Sequence, residues 1–209
     1  MLNSINLKFK HSIDFETQRV LYTYNKLDWF QEKGYKVSWP NNIDLLSKKT
    51  LSENYIKKII KEEYKAEEYK EVKIKIEELW KSKSKEIIEN ILNAKLDLKK
   101  EYVVYLTKYG VGGSYHLPNK IVLNFKNKDI NSLLKIIIHE IIHLCIQFLI
   151  EKYKIKHWQK ERVVDLIVLK AYPKWKKTQK VPFDTKNLNK IFFDNYPNID
   201  KILRLLANP

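Results

Sequence analysis

An α+β fold follows from three features of the sequence. Helical periodicity runs through most of the first half, strand-like periodicity takes over near residue 102, and two strongly apolar helical stretches come after it. From Asp14 to about Lys33, Phe15, Val20, Leu21, Tyr24, Leu27 and Phe30 recur at helical spacing, with Asp14 as the expected N-cap and Gly34 as the stop. Trp39-Pro40-Asn41-Asn42 reads as a loop. Thr50-Leu51-Ser52-Glu53 matches a capping box and opens a charged helical region reaching about Ala94, with a break expected inside it. Tyr102–Thr107 and Lys120–Phe125 read as short strands, separated by a loop holding three of the four glycines, Gly110, Gly112 and Gly113. Asn131 or Ser132 should cap an apolar helix ending near Lys152, and a further helix should cover about Lys156–Ala171. The tail carries a Lys-rich loop, the aromatic cluster Ile191-Phe192-Phe193 and a short helix near Asn198–Leu206. The seam near Lys95–Lys100 divides the chain into a helical N-terminal region, 1–97, acting as core support or lid, and a second region, 98–209.

Composition narrows the function classes. At 209 residues with 44% hydrophobic content, the chain can bury a real core and is not of the disordered type. Its net charge of +15 invites a nucleic-acid reading. The basic residues are mostly interleaved with Glu, however, and even the densest groups, Lys81–Lys85 and Lys174–Lys180, carry no nucleic-acid motif, so a solvated basic surface is expected. Cys145 is the one cysteine, so no internal disulfide forms, and its apolar neighbours suit a buried, inert thiol. The N-terminus lacks a signal-peptide pattern, and the apolar run Ile136–Ile150 is broken by His139, Glu140, His143 and Gln147. That run falls short of the ~18–20 apolar residues of a membrane span, so a cytoplasmic protein without one is expected.

The chemistry-bearing segment is His139-Glu140-Ile141-Ile142-His143. Four residues apart on a helix, the two imidazoles leave one face about a turn apart, which lets both reach one tetrahedral zinc ion. Glu140, offset by one residue, can serve a metal-activated water as general base and then protonate the leaving group. The alternative, two histidines satisfied in a core helix, is costly here. Ile136–Ile138, Ile141, Ile142 and Leu144–Ile146 make the helix apolar on nearly every side, and unpaired polar groups there cost several kcal/mol. Glu161-Arg162-Val163-Val164-Asp165 lies on the next apolar helix and offers Glu161 as third ligand, with Asp165 one turn on to orient a ligand imidazole. His157 is the rival third ligand, but the connection before it is short.

HEIIH followed by ERVVD resembles the gluzincin class of zinc metallopeptidases, the thermolysin-like group, over about Leu133–Ala171. The resemblance implies one zinc per chain held by His139, His143 and Glu161, with Glu140 as general base and acid and Asp165 orienting a ligand. It implies a zincin-like fold as well, with a small mixed sheet, an active-site helix and a Glu-helix. In such folds an edge strand ahead of the active-site helix pairs with extended peptide, a place taken here by Lys120–Phe125. Tyr115 and His116 in the glycine loop and Asn124 in the strand are then candidate substrate-binding residues. No His follows Asp165, so the oxyanion-stabilising role is left among Tyr172, Tyr196, an Arg, His116 and His157. Only 44 residues follow Asp165, which implies a compact member with its added mass placed N-terminally, and the cleft is expected to be covered by the tail from Trp175 or by the N-terminal helices. The function expected is peptide-bond hydrolysis on a peptide or protein substrate. The alternatives are a zincin-fold protein with narrow or lost peptidase activity and a basic nucleic-acid-binding protein.

Overall fold

The computed structural model describes residues 4–43, 52–175 and 178–208. It is mixed α and β, with one four-stranded sheet and eight helices among the described residues. Strand β1 (Asn6–Lys10) comes first, then helices α1 (Ile13–Asn25), α2 (Leu27–Glu32), α3 (Glu53–Glu63) and α4 (Ala66–Asn93). Strands β2 (Glu101–Thr107), β3 (Gly113–His116) and β4 (Lys120–Asn124) follow, and α5 (Ile130–Lys152), α6 (His157–Ala171), α7 (Lys186–Asn195) and α8 (Ile199–Ala207) complete the chain.

Three helix starts are set by side-chain caps two or three residues from where the sequence pattern places them. Ser12, not Asp14, caps α1 by accepting from the Phe15 amide at 3.0 Å. Asp129, not Asn131 or Ser132, caps α5 by accepting from the Ser132 amide at 3.0 Å. Thr50 lies outside the described residues, and Ser52 caps α3. The continuous helix expected from Asp14 to Lys33 is two, broken at Lys26. The break expected in the charged region falls at Tyr64–Lys65, and α7 forms over the aromatic cluster read as part of the tail.

The sheet order is β1-β2-β4-β3, with β1, β2 and β4 parallel and β3 antiparallel to β4. Two of these strands were not legible as strands, β1 at the N-terminus and β3 within the glycine loop. The edge-strand expectation is corrected by this order. Lys120–Asn124 is an inner strand, because Gly113–His116 folds back to cover it and becomes the edge.

Alternation fixes how the sheet meets the helices. Tyr102, Val104 and Leu106 of β2 and Ile121 and Leu123 of β4 are fully buried in one core with Leu134, Ile137, Ile138 and Ile141 of α5. Helices α4 and α6 join that core through Ile76, Ile87, Ile91, Val163, Val164 and Ile167. On the other side, Phe15 of α1 stacks on Tyr105 with centroids 4.6 Å apart. The 97/98 boundary lies between α4 and β2, while β1 crosses it to pair with β2 and the Trp80 indole of α4 donates to the Ile5 carbonyl at 3.0 Å. By length and composition α5 could cross a bilayer, being longer than the apolar run judged from sequence. In the fold, 61% of its apolar window is buried, as befits a helix threaded through the core.

Candidate metal centre

Helix α5 carries His139, Glu140 and His143, and α6 packs across it carrying Glu161 and Asp165. All five are buried, from 1% exposed at Asp165 to 6% at His139 and Glu140. Five polar side chains gathered in an apolar core require strong mutual pairing or a ligand.

Three of them converge on one point. His139 Nε2 and His143 Nε2 are 3.0 Å apart, and Glu161 Oε2 lies 3.2 Å from the first and 3.4 Å from the second. The cluster could hold a single metal ion. Behind it, Asp165 Oδ1 sits 3.3 Å from His139 Nδ1, the nitrogen facing away from the triangle. The negative charge of that carboxylate favours the proton on Nδ1 and so a lone pair on Nε2, which is what a metal ligand needs. Asp165 is itself held by the Gln179 amide, which donates to Oδ2 at 2.6 Å.

Electrostatics agree with a seat for positive charge. Burial alone would lower the His139 pKa, but the Asp165 and Glu161 carboxylates push it up, while burial holds His143 below the usual histidine range. Burial alone would raise Glu161, yet the two imidazoles hold it well below the carboxylate range. A proton is thus the smallest cation the cluster accepts. A divalent ion would engage all three donor atoms together.

Glu140 points elsewhere, toward the edge strand. A Cβ placed on Gly113 would lie 2.5 Å from Glu140 Oε1, so only glycine lets β3 approach this carboxylate. Burial, opposed by His139 and helped by Glu161, raises the Glu140 pKa to about 7.

The space in front of the cluster is a cleft of about 590 Å³. Tyr115 of β3 forms one side, its ring stacked on His143 with centroids 4.6 Å apart, and its hydroxyl donates to Gln147 Oε1 at 2.7 Å. Tyr22, Trp29 and Tyr35 from α1, α2 and the following turn line it as well. From the tail, Gln179 borders the cleft, its Nε2 3.5 Å from His139 Nε2.

No family model, curated protein or solved structure matches this chain. The site must therefore be read from its own geometry.

The other expected site residues fall in different places. His157 lines the cleft, but its Nδ1 is 4.0 Å from Glu161 Oε1 and its Nε2 is 3.0 Å from the Tyr35 hydroxyl, so it stands beside the triangle and outside it. Asn124 reaches the cleft wall with its side chain committed to the backbone, donating to the Gly110 carbonyl at 3.0 Å and accepting from the Lys126 amide at 2.9 Å. His116 is exposed at the far end of β3, next to Tyr22. Tyr172 packs in the core and Tyr196 against it, and neither lines the cleft.

Lys160 and Tyr35 were missed from sequence. Lys160 Nζ lies 3.3 Å from both Glu161 Oε1 and the Tyr115 hydroxyl, bridging the ligand helix and the edge strand. Its place next to Glu161 in the chain was the available signal. Tyr35 had none, since it enters through a turn far away in sequence.

Proposed function

We propose that the protein is a zinc-dependent peptidase of gluzincin type, with a zincin-like arrangement of edge strand, active-site helix and Glu-helix. The observation that carries this reading is the donor triangle with sides of 3.0, 3.2 and 3.4 Å. Tetrahedral donors ~2.0–2.1 Å from one zinc ion lie about 3.3 Å from one another. Two imidazoles and one carboxylate are also a donor set that suits catalytic zinc.

Zinc, when bound, would acidify a water molecule and polarise a peptide carbonyl. The chain's own residues supply the rest. Glu140 takes the proton of the attacking water and passes it to the departing amine, from a place beside the edge strand that Gly113 leaves open for its carboxylate. Asp165 keeps the His139 ring in its ligating orientation. The edge strand positions substrate. Asn124 donates its amide to the Gly112 carbonyl, so Gly112, Ser114 and His116 bond toward β4, while the backbone groups of Gly113 and Tyr115 face outward. An extended peptide added there would run past Glu140 and His143. Of the groups weighed for the oxyanion, His157 is the histidine that lines the cleft, with Lys160 and Tyr35 beside it.

Elemental analysis of stripped and reconstituted protein tests this reading. One zinc per chain is expected, lost in His139→Ala and in His143→Ala. Glu140→Gln should keep zinc and abolish hydrolysis of a peptide mixture. Wild-type protein that takes up no stoichiometric zinc would refute the reading.

A further inference from the structure

The cleft's charge is one-sided. Apart from Glu140 and Glu161, which belong to the metal centre, every ionisable acid or amine on its wall is a lysine: Lys36, Lys128, Lys135 and Lys160. Their placement follows the edge strand. Lys160 stands at the Tyr115 end. Lys128 stands at the other end, its Cε 3.9 Å from where a Cβ on Gly112 would be. Lys135 lies on α5 one turn before His139 and so projects from the same helix face. Lys36 enters near the Gly110 end, from the segment whose Ser38 pairs with Gly110.

These amines are not evenly neutralised. Lys160 has Glu161 as partner, and Lys135 lies in the field of Asp165 and over the Trp175 ring. Among the described residues, Lys36 and Lys128 have no carboxylate within ion-pair distance. The contact of the Lys128 ammonium is the Lys126 carbonyl at 3.4 Å. Lys128 is also half-buried, which pulls its pKa down and makes an arriving carboxylate worth more to it than to a solvated lysine. The buried Arg19 guanidinium adds positive charge behind the strand, 3.4 Å from Ser114 Oγ.

We propose that the cleft selects acidic peptides, with Lys36 and Lys128 receiving an Asp or Glu side chain at the Gly110–Gly112 end of the edge strand. This rests on the peptidase reading and names its substrate class. The reaction is ordinary hydrolysis; the lysines contribute to binding and not to proton transfer. A peptide paired along Gly113 and Tyr115 advances ~3.3 Å per residue, so the selected acid lies about two residues from the bond cut.

The general charge of +15 would attract any acidic peptide weakly, so the test separates the cleft from the surface. N-acetylated, C-amidated eight-residue peptides differing only in Glu against Gln are titrated onto Glu140→Gln protein, with and without zinc, at about 0.15 M salt. A change in tryptophan fluorescence reports binding, because of the five tryptophans Trp29 is the one that lines the cleft. The Glu peptide is expected to bind about tenfold more tightly than its Gln twin. Adding K36Q and K128Q should bring the two within about twofold, while K81Q with K85Q, an equal charge loss on exposed α4 positions, should leave the preference intact.

Equal binding of the two peptides would overturn the proposal, as would a matching loss in the α4 variant. An oligonucleotide of equal charge that bound more tightly through Lys36 and Lys128 would overturn it too. The preference is read with and without metal, so its failure is distinct from failure of the peptidase reading, which shows as missing zinc.

Discussion

Asp165 and Gly113 each shape one half of the candidate site through a neighbouring side chain, Asp165 through His139 and Gly113 through Glu140. The Asp165 carboxylate 3.3 Å from His139 Nδ1 favours a proton on that nitrogen by its charge. Asp165→Asn keeps the shape and loses the charge, so zinc affinity should fall ~10–100-fold in a competition titration against a chelator, with the fold retained. Gly113 acts on Glu140. A methyl group there would meet Ile136 Cγ2 at 2.4 Å and Glu140 Oε1 at 2.5 Å, and the carboxylate is the softer of the two. Gly113→Ala should leave zinc stoichiometry unchanged and lower kcat on the order of 100-fold, the usual cost of a misplacement near 1 Å. Unchanged kcat would show that Glu140 tolerates displacement and is not the base. These residues also show what sequence could deliver. His139, His143 and Glu161 were legible because helical spacing converts sequence position into direction. Gly113 was legible only as one of three glycines in a loop, since its need for a missing Cβ arises from α5, which approaches it from a distant part of the chain.

At the level of elements, the helices announced themselves through long apolar periodicity. The strands did so only where apolar content was high. β3 is four residues, Gly-Ser-Tyr-His, with no alternating apolar pattern, and its partner β4 decides its conformation. The N-terminal strand is one residue longer and exists because β2 offers it a parallel edge. The tie between α1 and the sheet was equally hidden. Glu16 is fully buried and accepts from the Tyr69 and Thr107 hydroxyls and from the Lys108 amide at 2.9 Å, joining α1, α4 and the end of β2. Burial, partly offset by those donors, raises its pKa above the ordinary 4.5. A raised folded-state pKa means the protonated form is the one folding favours. Its contribution is therefore whole below pH 4.5 and declines as pH rises through the folded-state value. Glu16→Gln, which cannot ionise, should gain in Tm relative to wild type as pH is raised from 4 to 7. A difference independent of pH would mean that Glu16 ionises freely.

For the molecule as a whole, a metal ion held by this cluster would couple function to stability. The donors come from two helices that both belong to the main core, so a bound ion clamps α5 to α6. A ligand at ~100 times its Kd stabilises by about 2.7 kcal/mol, and a domain of this size gains ~2–4 °C per kcal/mol. Zinc at that excess should raise the Tm by about 5–10 °C in a thermal scan, and His143→Ala should lose the whole increment. The same architecture sets an order of assembly during synthesis. Asn6 of β1 faces Glu101 of β2, 95 positions further along the chain. At ~5–20 residues per second a ribosome needs about 5–20 s to deliver that partner. Throughout this interval Leu7 and the apolar side of α1 have no sheet to rest on, since that sheet cannot form until β2 has left the exit tunnel. The nascent chain is thus expected to hold these apolar segments uncovered until β2 emerges.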